Sequence, residues 1–138
     1  MILAIGVWGS VMLAQSKEKS VWDGVFTAEQ AKRGEQRYGT ACAHCHGDDL
    51  EGDIVENPQL AGPMFRDKWN GLNLGQLYER IHRDMPLNRA GTLSRETSID
   101  LVAFILSAND YPAGSTPLAS DPHLLESIVI HSNRDVRK

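Results

Sequence analysis

Apolar residues recur at helical spacing in three stretches of the chain, separated by segments with no sustained period. In the first stretch Ala31, Gly34, Tyr38 and Ala41 form a narrow stripe, with Lys32, Arg33, Glu35 and Arg37 facing water. Thr27 and Gln30 supply a capping box at its start, and Phe26 can staple onto Ala31. In the second, Leu74, Leu77, Tyr78 and Ile81 share a face behind the capping pair Asn73 and Gln76, and Pro86 must end the helix. The third begins after Ser94. Ile99, Val102, Ala103 and Leu106 there give the i, i+3, i+4, i+7 stripe of a strongly buried helix, closed by Asn109 and Asp110. Asp121-Pro122 predicts a short helix through Leu125, and Ile128-Val129-Ile130 an extended tail. The pattern is that of an all-α chain.

The intervening segments carry their own signals. Ser20 to Phe26 holds Trp22 and Gly24 without periodicity and reads as a linker or wrapping arm, whereas residues 47–63, rich in Gly, Pro, Asn and Asp, form a long loop of the kind that is usually functional or disordered. Gly34 costs its helix about 1 kcal/mol relative to Ala, and its place on the apolar stripe implies close approach of another helix. Ile2 to Ala14 is nearly all apolar but only 13 residues long, too short for a bilayer that needs about 20. The polar run after it makes residues 1–16 a secretory signal peptide, with cleavage after Ser16, although no Lys or Arg opens it. The implied organisation is a signal peptide over 1–16, an arm over 17–26, a domain over 27–110 and a C-terminal extension over 111–138 packed on it. Export implies a periplasmic protein with no transmembrane span.

At 138 residues the chain has room for one domain and no separate catalytic one. A composition of 41% hydrophobic and 23% charged residues excludes disorder and a multi-span membrane protein, and the formal charge of −4 argues against nucleic acid as partner. The acidic residues Asp48, Asp49, Glu51, Asp53 and Glu56 cluster in the long loop, while Arg80, Arg83, Arg89 and Arg95 flank the end of the second helix. Charge runs of this kind are usually solvated faces; if functional, the asymmetry implies a dipole that steers a partner at low salt.

Chemistry concentrates in Cys42-Ala43-His44-Cys45-His46, which holds both cysteines of the chain. On the last turn of the first helix the two thiols project to one side with His46 beside them. Two thiols so spaced can add across the vinyl groups of haem while the imidazole reaches the iron, which is why Cys-x-x-Cys-His is read as c-type haem attachment. Zinc would need four ligands, usually drawn as two pairs from separated segments, and no second pair exists. Thioredoxin-like chemistry expects a strand before the motif, and here a helix precedes it. The sixth iron position has candidates in Met64, Met85, His82, His123 and His131. Met85 is the strongest, since it follows the second helix and Pro86 keeps the chain extended there; His82 is the runner-up, and Met64 is better explained as core filling. Methionine would raise the potential relative to a second histidine.

These residues together resemble the class I cytochrome c family from Thr27 to Asn109. The likeness rests on the helix with Gly34 and Tyr38 leading into the Cys42–His46 motif, on Pro58-Gln-Leu60-Ala-Gly62, on Met85-Pro86, and on Leu101-Val-Ala-Phe104-Ile-Leu. The resemblance implies three main helices plus a short C-terminal helix and extended tail wrapped around one covalent haem c. It implies that Gly34 sits where the first and last helices cross, with Phe104 against the crossing, and that Pro58 offers its carbonyl to the second ring nitrogen of His46. It further implies Leu60 on the haem face, Trp69 at a propionate, Cys42 and Cys45 as attachment points, and His46 and Met85 as iron ligands. Val21-Trp-Asp-Gly-Val25, Leu50-Glu-Gly52 and Tyr111-Pro-Ala-Gly114 are similar to small exported cytochromes associated with quinoprotein dehydrogenases. The expected function is a periplasmic electron carrier rather than an enzyme, with such a dehydrogenase as donor and a terminal oxidase or another cytochrome as acceptor. Two alternatives stand beside it: a fixed electron-transfer subunit of a dehydrogenase or oxidase complex, and a ligand-binding or peroxidatic haem protein if Met85 is labile. Arg89-Ala90-Gly91, where such cytochromes often have Pro-Gly, makes the ligand loop less rigid.

Overall fold

Each sequence-read cap forms as expected and sets the start of a helix. In the computed structural model, which describes residues 18–53 and 55–134, Thr27 accepts the Gln30 N–H at 3.3 Å while Gln30 answers on the Thr27 N–H at 3.2 Å, and α1 runs Ala28–Ala41. Residues 1–16, expected as a signal peptide, lie outside the described residues. Asn73 and Gln76 repeat the reciprocal pair at the start of α4 (Leu74–Asp84). Ser94 caps α5 (Arg95–Ala108) through the Thr97 N–H, and Asp121 caps the short α6 (Pro122–Glu126) through the Leu124 N–H. Between α1 and α4 lie α2 (Ala43–His46) and α3 (Pro63–Trp69).

Two of these helices correct the expectation. The Cys42–His46 motif does not continue α1: the helix stops at Ala41, Cys42 turns to φ −126° and ψ −36°, and the motif forms its own single turn, α2. Helix α3 was not anticipated at all, and it buries only Phe65. Met64 is 67% exposed on that helix, so it does not fill the core.

The core lies between α1, α4 and α5. Helix α5 buries most of its circumference from Ser98 to Leu106, well beyond the single stripe read from sequence. It crosses α1 at Gly34, where the backbones touch: a Cβ on Gly34 would overlap the Asp100 carbonyl oxygen and stand 2.8 Å from the Phe104 Cβ. Two further contacts pin the crossing. Arg33 clamps Asp100 through two bonds of 2.8 Å, which hold the guanidinium above its ordinary pKa, and the Tyr38 ring tilts against Phe104 with centroids 5.2 Å apart.

The ends of the described chain close over this core. Strand β1 (Lys19–Ser20) pairs in parallel with β2 (Ile128–Val129), Lys19 facing Ile128 and Ser20 facing Val129. Val21 and Phe26 are fully buried, as are Leu125, Ile128 and Ile130. The Trp22 indole N–H (2.9 Å) and the Tyr111 hydroxyl (3.1 Å) both donate to the His131 carbonyl. Gln30 bonds both backbone groups of Leu118 at 2.8 Å, so the cap of α1 also fastens the segment after α5.

The crossing makes a paired prediction. Gly34→Ala should destabilise by roughly 1–3 kcal/mol through overpacking against backbone, whereas Gly39→Ala, on the same helix with nothing within 4 Å of the added carbon, should stabilise by about 0.5–1 kcal/mol. Thermal midpoints that move the same way for both would show that the crossing does not require glycine.

Candidate haem site

Helix α2 is a one-turn platform. Backbone bonds from Cys45 (3.1 Å) and His46 (3.0 Å) to the Cys42 carbonyl, and from Gly47 to the Ala43 carbonyl (2.9 Å), fix it, and the Tyr38 hydroxyl reaches from α1 to the Gly47 carbonyl at 2.6 Å. Its residues divide by exposure. His46 is buried, Cys42 half-buried, and Cys45 and His44 exposed. Burial pushes the Cys42 thiol up to about 11, opposed by the nearby Arg37 charge. A thiol so placed is neutral near pH 7, and a thioether in its place would carry no charge to desolvate.

The His46 ring is oriented from one side. Its Nδ1 lies 3.0 Å from the Pro58 carbonyl oxygen, which can only accept, so Nδ1 donates, and in the neutral ring this leaves the lone pair on Nε2. This is the contact that the resemblance implied for Pro58. The stretch after Pro58 is held in turn by Asn109, which is buried and accepts the Gly62 N–H at 3.0 Å while donating to the carbonyls of Leu60 (2.9 Å) and Ile105 (2.8 Å). Sequence reasoning read Asn109 only as a helix stop. Cys42, Ala43, Leu60, Ala61 and Trp69 all rest on the core while keeping part of their surface free.

Met85 ends α4 in extended conformation, φ −114° and ψ 152°, with its N–H on the Ile81 carbonyl, and it is half-buried. His82 is committed elsewhere: its Nδ1 is 3.0 Å from the Ser98 hydroxyl and its ring stacks on Tyr78 at 5.3 Å. His123 is exposed on α6, and His131 stands 3.4 Å from Glu18. The arginines read as a basic flank are partly neutralised, since Arg80 (2.9 Å) and Arg83 (3.4 Å) both bond Asp84, whose carboxyl is held below its ordinary pKa first by the Arg80 bond. Among the described residues no three His, Cys, Asp or Glu side chains converge as a metal site of their own.

A family model described as cytochrome c oxidase, cbb3-type, subunit III matches residues 29–105, more than half of the chain and all of the span from α1 nearly to the end of α5. The chain belongs to this family of c-type cytochromes. Its cofactor is haem c with iron, and electron transfer through haem is the chemistry such a domain serves. Cytochrome c-551 of Bacillus subtilis (strain 168) is 42% identical over 69 residues, covering 46% of this chain and 62% of that protein. The chain therefore spans less than two thirds of that relative's length. The crystal structure of the sulfane dehydrogenase SoxCD from Paracoccus pantotrophus aligns with a TM-score of 0.54 at 24% identity, covering 94% of this chain and 68% of that one. At that identity the likeness concerns fold alone, and the fold is the all-α class I cytochrome c fold. Among the described residues no helix of this cytochrome is long and apolar enough to cross a membrane.

Asn109 gives the site its test. Asn109→Ala removes the side-chain bonds to Gly62, Leu60 and Ile105 and should cost roughly 1–3 kcal/mol, read from denaturant unfolding of the haem-loaded protein. A midpoint equal to the parent's would mean that the 60–62 stretch is held by packing instead.

Proposed function

We propose that this cytochrome is an exported, periplasmic one-electron carrier, with its haem attached at Cys42 and Cys45 and its iron held between His46 and Met85. The observation that carries the reading is the His46 ring, buried beside the two cysteines with Nδ1 bonded to Pro58 at 3.0 Å and Nε2 left for iron. The haem supplies reversible one-electron chemistry at its iron. The chain's own part is to hold the two ligands, keep water and substrates off the metal, and tune the potential through the bond to Nδ1.

Met85 is preferred over His82 because the His82 ring already serves the packing of α4 on α5, while Met85 is half-buried just past the end of α4, with extended backbone at Met85 itself and at Pro86 after it. Residues 27–110 are then the haem-holding unit, with 111–138 an extension on it. The proposed donor is a quinoprotein dehydrogenase and the acceptor a terminal oxidase or another cytochrome, supported by the Val21–Val25 and Tyr111–Gly114 segments. These meet in the fold, Trp22 packing edge-on against Tyr111 at 4.7 Å.

The sixth ligand separates a carrier from a ligand-binding or peroxidatic protein. The oxidised parent should show the weak near-infrared sulfur-to-iron band, Met85→Ala should abolish it and admit carbon monoxide, and Met64→Ala should leave it in place. A parent without the band, in which His82→Ala is what opens the iron, would replace the assignment with two histidines. Ready carbon monoxide binding by the parent would remove the carrier reading.

A further inference from the structure

The loop between α2 and α3 is more ordered than its composition suggests. It leaves His46, turns, and returns along itself: the Gly52 N–H donates to the His46 carbonyl (2.8 Å), the Leu60 N–H to the Leu50 carbonyl (2.9 Å), and the Asp53 N–H to the Asn57 carbonyl (2.8 Å). Gly52 lies against the returning strand at φ +58°. A Cβ there would overlap the Asn57 carbonyl oxygen and come within 2.8 Å of the Pro58 carbonyl carbon. Asp53 closes the turn with its side chain. Its Oδ1 accepts the N–H groups of Val55 (2.9 Å), Glu56 (2.7 Å) and Asn57 (3.3 Å), and its Oδ2 accepts the Asn57 side-chain amide at 2.6 Å. These bonds, that of Glu56 foremost, hold the carboxyl well below the usual carboxylate range although it is open to solvent.

Asn57 is followed directly by Pro58, whose carbonyl orients His46. We infer that Asp53 is a positioning residue for the iron ligand: its carboxylate clasps Val55, Glu56 and Asn57 and thereby holds the Pro58 carbonyl on the His46 ring. The inference rests on His46 being an axial ligand, as proposed above. An imidazole whose far N–H is firmly bonded is a more basic ligand and favours the ferric state. Asp53 therefore lowers the reduction potential without touching haem or ligand, and the loop between the motif and Pro58 becomes a place where the potential is set.

The test compares the haem-loaded parent with Asp53→Ala, which removes all four bonds, and Asp53→Asn, which keeps an oxygen for the backbone N–H groups. In Asp53→Ala the midpoint potential should rise, and solvent exchange of the His46 Nδ1 proton, followed by NMR, should quicken about tenfold, as for loss of one hydrogen bond's worth of local stability. Asp53→Asn should lie between the two, with the near-infrared band unchanged in both. If Asp53→Ala does not accumulate folded, Asn57→Ala removes the Oδ2 bond alone and should shift both readouts the same way by less. Potentials and exchange rates equal to the parent's, with only the thermal midpoint lowered, would reduce Asp53 to a loop staple and overturn the proposal. A parent in which the His46 Nδ1 proton carries no haem-induced shift would overturn the ligand assignment, and this inference with it.

Discussion

The crossing of α1 and α5 at Gly34 is the constraint on which the rest of the structure hangs. With only hydrogen on its α-carbon, Gly34 lets the two backbones touch, and Arg33 and Tyr38 on either side bond and pack to Asp100 and Phe104. That contact fixes the exit of α1, and α2 follows after a single residue, so the orientation of the haem motif is inherited from it. The same Tyr38 that packs on Phe104 reaches the Gly47 carbonyl, tying the far end of α2 to the crossing as well. Helix α5 then carries the constraint onward. Its Ser98 meets His82 of α4, and its Asn109 meets the chain at Leu60 and Gly62.

The proposed ligands are thus approached by two routes from the same crossing, α1 into α2 for His46 and α5 through α4 for Met85. A ligand held by regular elements packed on a common core varies little in geometry, which suits an electron carrier because small reorganisation accompanies the change in oxidation state. The loop between them is different. Besides the buried Leu50 and its own backbone bonds it is held by side chains, Asp53 at its tip and Asn109 at its base, and its Pro58 carbonyl is bonded to the His46 ring.

What was legible in the sequence was whatever is encoded locally. The capping pairs at Thr27 and Asn73 and the single caps at Ser94 and Asp121 depend on residues three apart, and all formed as read. The attachment motif is likewise contiguous. The break between α1 and α2 was hidden because Ala41 completes the apolar stripe and nothing in the residue types records the backbone turn at Cys42. Helix α3 was hidden because it is short and buries only Phe65, leaving no period to detect, and Met64 upon it is exposed where an apolar residue suggested burial. The pairing of β1 with β2, the hold of Trp22 on the His131 carbonyl and the reach of Asn109 to Leu60 join residues far apart in the chain. Such contacts depend on the finished fold. Pro58 was reachable only through likeness to a family, since no spacing links it to His46.

Covalent attachment at α2 underlies the proposed function most directly, and the mass of the denatured polypeptide tests it without reference to potential, ligand or partner. One haem added to the chain, retained on the peptide that contains both Cys42 and Cys45, is the result it predicts. A colourless polypeptide whose haem extracts freely into acidified organic solvent, with both thiols open to alkylation, would contradict it.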